Sequence, residues 1–543
     1  MIDKRMMYID KINQIAKESF NDEQKKLAIS ILEVVDSKIL DATYDLISQR
    51  VKTGFVFDSA PEVNHDCVAL IEENHDLNIE SLKKGPRYVE HKLIIGENYD
   101  ALKNLAASYV DPITNKGMVD VIYIDPPYGT EKAKEDGNDY KTHVESVKFI
   151  YRDKYTRDGW LNLMKERLLL SKKVLTDEGI IFVSIDDNNQ AYLKVLMDEI
   201  FGEENFITTF LWNQSSGGSS LSKFIRSDYE YILCYSKNKD LINYKFFSRY
   251  SEGMGDSSLI NKPNKYSKLL FKKGTINFTS DQEGLINAFT DQDFELHNDL
   301  RIENSLNAND VYISAKWKWS QDYLDEQLSD GTKILSKTQK LRLRYIRDNE
   351  GDVIIPTKSI TSSNGVGYTT SSYAELTSMG LGFDYAKPTS LIKYLVNMVT
   401  YNNKDAIILD YFAGSGTTGQ AVMELNAEDN GQRKFILVTN NENNIAVDIT
   451  RERLYRVING KGSNDEAIKW TYSKDLPSLV DNEIRVFDIN YHELTINDFE
   501  KAEKLADKAA EQFKLLNEGY KKKNELDIYY DLSSLNPIDK VME

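Results

Sequence analysis

Asp125-Pro126-Pro127-Tyr128 directly follows an apolar run, Val119-Asp120-Val121-Ile122-Tyr123-Ile124. Proline has no N–H and a fixed φ, so two in succession stiffen the exit from a strand. The carbonyl before Pro127 and the Asp125 carboxylate are then placed to accept from one amino group. Tyr128 offers an aromatic face on which a base can stack. The exocyclic amine of a base is a poor nucleophile, because its lone pair is delocalised into the ring. Two acceptors on its hydrogens favour a tetrahedral nitrogen, whose lone pair can attack an electrophilic methyl on a sulfonium. A base cannot meet such groups inside a duplex, so the chemistry implies base flipping. A rigid turn suffices for Pro-Pro alone. The acid, the ring and a second loop far downstream favour the chemical reading.

That second loop is Leu409-Asp410-Tyr411-Phe412-Ala413-Gly414-Ser415-Gly416-Thr417-Thr418. A strand ends at Asp410, the two glycines permit a tight turn, and a helix N-terminus follows. In a doubly wound sheet, ligands lie beyond the carboxyl ends of the strands. A P-loop needs lysine after its last glycine, and this chain has Gly416-Thr417-Thr418. The strict dinucleotide fingerprint is absent as well. A nucleoside without phosphate fits better. Gly-x-Gly turns also serve plain strand–helix packing, so the loop gains weight from its pairing with the tetrapeptide.

The elements that must position these loops read as an α/β chain. Residues 1 to 50 carry apolar positions at helical spacing, among them Ile12, Ile15, Leu27, Ile31, Leu32 and Val35. Residues 51–90 read as irregular. From His91 the pattern alternates: strand 93–95, helix 99–108, the strand ending at Asp125, helix 159–175, a turn at Asp177-Glu178-Gly179, and strand 180–185. Helix 190–200 and strands 207–212 and 229–235 follow. Continuous apolar runs between helices indicate a buried, mostly parallel sheet. Residues 236–380 lose this rhythm and read as an inserted domain. The pattern resumes with helix 389–400, strand 406–410, helix 418–425 and strand 434–439. After Ile458 the chain is expected to leave the sheet. Helix 498–516 spaces Phe499, Ala502, Ala506, Ala509, Phe513 and Leu516 as a heptad seam, for this chain or for a partner. The expected domains are 1–90, 91–235, 236–380, 381–460 and 461–543.

The chain of 543 residues is 41% hydrophobic and 28% charged, an ordinary globular balance. No apolar stretch approaches the roughly 20 residues that span a bilayer, so a cytoplasmic place and no membrane partner are expected. Cys67 and Cys234 are the only cysteines, which argues against zinc and disulfides. Neither follows proline, so the Pro-Cys nucleophile of cytosine C5 methylation is missing.

A net charge of −18 counts against nucleic acid at first sight. Charge can be local, however. Lys262, Lys265, Lys268, Lys272 and Lys273 lie within one acid-free stretch, and Lys333, Lys337, Lys340, Arg342, Arg344 and Arg347 lie within another. Trp317 and Trp319 alternate with Lys316 and Lys318. Any one cluster is commonly a solvated face. Together they point to a DNA-contacting surface that includes Trp317, Trp319, Lys262, Lys265 and the second basic cluster.

The tetrapeptide, the glycine loop and their order resemble amino-methylating DNA methyltransferases of the beta arrangement. The wider string resembles the Mod (modification) subunits of type III restriction–modification systems. It includes His91 through Asn98, Gly159-Trp160-Leu161, Gly179 through Asp187, Glu203 through Ile207, and Phe383-Asp384-Tyr385-Ala386-Lys387-Pro388. The resemblance implies a permuted, Rossmann-like doubly wound sheet with an inserted target-recognition domain and helical N- and C-terminal extensions. Asp125, Pro126, Pro127 and Tyr128 would position the flipped base. Phe412, Gly414, Ser415, Gly416 and Asp410 would line an S-adenosyl-L-methionine site, with Lys387, Pro388 and Thr389 on its flank. Glu97 and Asn98 would reach the same cofactor from a strand beside the catalytic one. Thr439 stands where a ribose-binding carboxylate is usual, so that role passes to Glu442. Aspartate at the head of the tetrapeptide favours adenine N6 over cytosine N4. Double-stranded DNA, a second copy of the chain and a restriction (Res) subunit are the implied partners. RNA adenine methylation and a non-catalytic DNA-binding specificity partner are the rivals. Two intact loops speak against the latter.

Overall fold

The computed structural model describes residues 4–14, 22–36, 64–128, 157–215, 227–251, 256–279, 283–337, 340–346, 352–383, 386–472, 479–493, 499–521 and 531–534, with positions 40, 43, 44, 47, 217, 225 and 528. One sheet organises the molecule. Its strands are β1 (Asn64–Glu73), β2 (Val89–Ile95), β3 (Val119–Ile124), β4 (Leu175–Ile185), β5 (Phe206–Asn213), β6 (Tyr229–Ser236), β7 (Ser359–Ile360), β8 (Ile407–Asp410), β9 (Lys434–Thr439), β10 (Asn482–Glu493) and β11 (Ser533–Ser534). They lie in the order β7-β5-β6-β4-β3-β8-β9-β2-β10-β1-β11. The run from β4 to β10 is parallel, whereas β6 and β1 pair antiparallel with their neighbours.

Among the described residues the α-helices include α1 (Lys4–Gln14), α2 (Asp22–Val34), α3 (Asn98–Ser108), α4 (Arg157–Val174), α5 (Gln190–Phe201), α6 (Gln321–Ser329), α7 (Thr369–Ser378), α8 (Thr389–Thr400), α9 (Thr417–Asp429), α10 (Glu452–Asn459) and α11 (Phe499–Leu516). The period of two in β3 shows why both faces need cover. Val121 and Tyr123 enter one core with α8, α9 and α10. Ile122 and Ile124 enter the other, with α3, α4 and α5. This is the doubly wound architecture that the apolar runs predict.

Several expectations change. Residues 64–73, read as irregular, are β1. The chain does not leave the sheet after Ile458: β10 returns between β2 and β1, parallel to the first and antiparallel to the second. The turn at Asp177-Glu178-Gly179 is an irregularity inside β4, where pairing jumps from Val119↔Leu175 to Val121↔Ile180. The strand ending near Glu97 does not adjoin the one that leads into Asp125. β2 pairs with β9 and β10, while β3 lies between β4 and β8.

Within the 236–380 stretch, strands from Asp256 to Ile346 form two further sheets of seven and four strands. They enclose their own core, from Leu259 to Leu343. The chain is back on the main sheet at Ser359, where β7 pairs with β5. In α11, Ala509 and Phe513 pack against Val68 and Leu70 of β1, and Leu516 joins the core of α3 to α5. Those seam positions are covered by this chain itself. The side chains of Phe499 and Ala502 lie outside the described residues. No helix among the described residues is long and apolar enough to cross a membrane.

Candidate active site

β3 and β8 are parallel neighbours, with Ile408 opposite Val121 and Leu409 opposite Ile122. The tetrapeptide and the glycine loop therefore leave the same end of adjacent strands. That is where open α/β sheets hold ligands.

Two groups hold Asp125, and both also face Glu230. Asp125 Oδ1 accepts from the Tyr128 hydroxyl at 2.9 Å, and its Oδ2 accepts from Lys387 Nζ at 2.7 Å. Lys387 Nζ also lies 3.0 Å from the Tyr128 hydroxyl oxygen and 3.3 Å from Glu230 Oε2. The Tyr128 hydroxyl lies 3.3 Å from the same Glu230 oxygen. Burial alone would pull the Lys387 ammonium down, but the Asp125 and Glu230 carboxylates push it up to about 12. Lys387 is a fixed cation. Burial, then the two carboxylates, raise the Tyr128 phenol, so its ring stays neutral and is able to stack. Burial also raises Glu230, against the pull of Lys387.

The rigid exit needs anchors beyond proline. Trp160 Nε1 of α4 donates to the Pro127 carbonyl, and Asn189 Nδ2, before α5, donates to the Tyr128 carbonyl. Pro126 is buried, Pro127 is exposed and Tyr128 is half-buried, so the aromatic ring stands at the mouth.

Asp410 shapes the glycine loop. Its Oδ1 accepts from the Phe412 N–H at 3.0 Å and its Oδ2 from the Thr418 hydroxyl at 2.5 Å. Gly414 and Gly416 take φ of +49° and +78°, left-handed values that glycine adopts without the Cβ penalty. A Cβ on Gly416 would also lie 3.2 Å from the Thr450 methyl. Thr450 donates to the Gly414 carbonyl at 2.5 Å from a π-helical turn, Ile445–Arg451. Phe383 stands beside Gly414, and Phe412 is half-buried on the loop. Two aromatic rings flank a close-approach turn. The guanidinium that touches it, Arg453, is fully buried on Glu375, Gln420, Thr417 and Ser415. The chemistry suits an aromatic nucleoside without phosphate, which is what S-adenosylmethionine presents.

Burial pushes the Asp410 carboxyl up to about 7, despite its two hydrogen bonds. The folded state therefore holds a proton there that the unfolded state, with an ordinary carboxyl, releases near pH 4. The stability from this group is complete below about pH 4 and falls as pH rises to about 7. Asp410→Asn removes the titration and keeps the shape. Relative to wild type, the Asn variant should gain stability between pH 4 and pH 7, by up to about 4 kcal/mol. Denaturation midpoints of both proteins across that range measure the difference. Parallel curves would contradict a neutral, buried Asp410.

The structure redistributes other predicted residues. Lys387, expected beside the cofactor loop, bonds the tetrapeptide instead. Pro388 caps α8, and Thr389 donates to Glu375 at 2.7 Å. Glu97 caps α3 and pairs with Arg167, while Asn98 donates to the Tyr411 carbonyl at 2.9 Å. These two brace the flank of the glycine loop from a strand two places away. Glu442 is exposed just past β9.

The DNA-contact expectation needs correction. Trp317 and Trp319 are buried in the insert core, at 3% and 8% exposure. Lys337 and Arg344 both pair with Asp256, an acid that folding brings in from 81 or more residues upstream. Lys262, Lys265, Lys333, Lys340 and Arg342 are exposed, and Arg347 lies outside the described residues. Sequence reasoning missed Glu230, Asn189, Arg167 and Arg453. For Glu230 the signal was present: a lone acid inside the otherwise apolar and aromatic run Tyr229–Tyr235.

A DNA methylase family profile matches residues 119–459. A family described only as an uncharacterised conserved protein matches residues 5–111. The type III restriction-modification enzyme StyLTI Mod subunit of Salmonella typhimurium is 30% identical over 429 residues, 73% of this chain. The chain spans 59% of that relative's length. The type II methyltransferase M.KpnI of Klebsiella pneumoniae is 30% identical over 385 residues, 68% of this chain and 85% of its own. The crystal structure of the M1.HpyAVI–SAM complex overlaps 67% of this chain and 100% of its own, at 13% identity and a TM-score of 0.30.

Proposed function

As the chain belongs to the DNA methylase family, we propose that it methylates adenine N6 at a specific site in double-stranded DNA, as the modification subunit of a type III restriction–modification system. The observation that carries this reading is the emergence of Asp125–Tyr128 and the glycine loop side by side from β3 and β8. S-adenosylmethionine, the cofactor of the family, supplies when bound an electrophilic methyl group on a sulfonium.

The chain's own residues do the rest. Phe412, Gly414, Ser415 and Gly416 shape the nucleoside seat, and buried Asp410 holds their backbone in place. Tyr128 stacks the flipped base. The Asp125 carboxylate accepts a hydrogen of the exocyclic amine, and the Pro126 carbonyl accepts the other. This draws the nitrogen towards a tetrahedral geometry and frees its lone pair. Fixed acceptors aimed where charge develops are commonly the largest single term in such catalysis. The Pro127 and Tyr128 carbonyls, held by Trp160 and Asn189, keep those acceptors from drifting.

Site reading is assigned to the insert. Exposed Lys262, Lys265, Lys333, Lys340 and Arg342 supply phosphate contacts, which position the duplex without reading it. A second copy of the chain and a restriction subunit complete the proposed assembly.

Expression in a host free of DNA methylation, followed by modification-sensitive genome sequencing, tests the reading. New N6-methyladenine at one recurring sequence is the expected result. Modified cytosine would overturn the base assignment. No new modification would overturn the function.

A further inference from the structure

Both oxygens of Asp125 are already engaged. Oδ1 holds the Tyr128 hydroxyl and Oδ2 holds Lys387 Nζ. An incoming amine must compete with these donors, and one of them is a permanent cation. Hydrogen bonds between ions are roughly twice as strong as neutral ones. A neutral exocyclic amine therefore displaces Lys387 only if the ammonium has another anion to go to.

That anion is in place. The same two donors both lie 3.3 Å from Glu230 Oε2. Glu230 belongs to β6, where it pairs with Trp212 across the sheet, so the acceptor stands on a rigid strand rather than on a loop. A displacement of about half an ångström brings Lys387 to ordinary hydrogen-bond length from Glu230. Such a handover keeps the ammonium paired throughout, so no buried charge is stranded.

We propose that Glu230 is a positioning residue that takes Lys387 and the Tyr128 hydroxyl off Asp125 as the base enters, clearing Asp125 for the target amine. The proposal rests on the reading of Asp125 as the acceptor of that amine. In the free protein Lys387 occupies the position of the amine hydrogens on Asp125. In the bound protein it neutralises Glu230 and leaves Asp125 its full negative charge.

Glu230→Gln keeps the size of the side chain and removes the competing anion. With a duplex carrying the genome-mapped site, kcat should fall about 100-fold, while KM for S-adenosylmethionine stays within about twofold. A duplex with 2-aminopurine at the target position should show a smaller fluorescence rise on binding, because the extruded base finds its place taken. The double variant Glu230→Gln with Lys387→Met removes the occupant as well. It should exceed the single Gln variant in kcat by about tenfold, or about 1.4 kcal/mol. If Glu230 only balances a buried charge, the Gln variant will lose stability and the double variant will recover kcat only in step with recovered stability, and the proposal falls. A double variant no faster than the single one overturns it as well. A Gln variant with wild-type kcat overturns it too. Wild-type protein that methylates no DNA would instead overturn the function reading, a separate outcome from either.

Discussion

Asp125→Ala will abolish methyl transfer and leave DNA affinity within about threefold of wild type, since the proposed phosphate contacts lie on the insert, away from Asp125. The expected loss in kcat is at least about 1,000-fold, as for other fixed groups that meet the charge of a transition state. The fold should survive. Lys387 keeps Glu230 at 3.3 Å, so no cation is left alone, and Trp160 and Asn189 still hold the carbonyls of Pro127 and Tyr128. Radiolabel transfer from S-adenosylmethionine measures the first effect and an electrophoretic shift measures the second. Retained methylation would remove Asp125 from the reaction. Joint loss of methylation and DNA binding would show that the variant damages the fold rather than the chemistry.

Arg453→Met will destabilise the protein by about 3 kcal/mol or more, the usual range for breaking a buried ionic pair from one side. Its side chain is fully buried. It donates to Gln420 Oε1 and Thr417 Oγ1 at 2.7 Å each, to Ser415 Oγ at 3.1 Å and to Thr389 Oγ1 at 3.1 Å, and it pairs with Glu375 at 3.3 Å. One guanidinium thus ties together α7, the start of α8, the glycine loop and the start of α9. Methionine fills part of the space but leaves these oxygens without their donor. Affinity for S-adenosylhomocysteine should weaken about tenfold, because Ser415 and Thr417 lose their anchor. Denaturant unfolding and calorimetric titration read the two effects. A variant as stable as wild type would show that the network carries little of the loop's order.

The tetrapeptide and the glycine loop were legible because their information is local. Two prolines after a buried strand, and two glycines between a strand and a helix, act through sterics that need no distant partner. The apolar runs of β3, β4 and β9 were legible for the same reason. β10 was not, although its Ile484, Val486 and Ile489 enter the cores. Its polar and apolar residues alternate, and the place of such a strand depends on which edge is open, a property of the whole sheet. The Lys316-Trp317-Lys318-Trp319 run misled because alternation sends successive side chains to opposite sides. The tryptophans took the inner side.

By itself, then, the sequence determined the class of fold, the two loops and the kind of chemistry they imply, since each follows from short-range steric rules. Tertiary structure alone decided that the loops leave adjacent strands, that β10 completes the sheet, and that Lys387 faces Asp125 rather than the glycine loop. It alone brought in Glu230 as the second carboxylate. Lys387 and Asp125 are 262 residues apart. A charge pair over such a span is specified by strand order and burial, which no local pattern of residues carries.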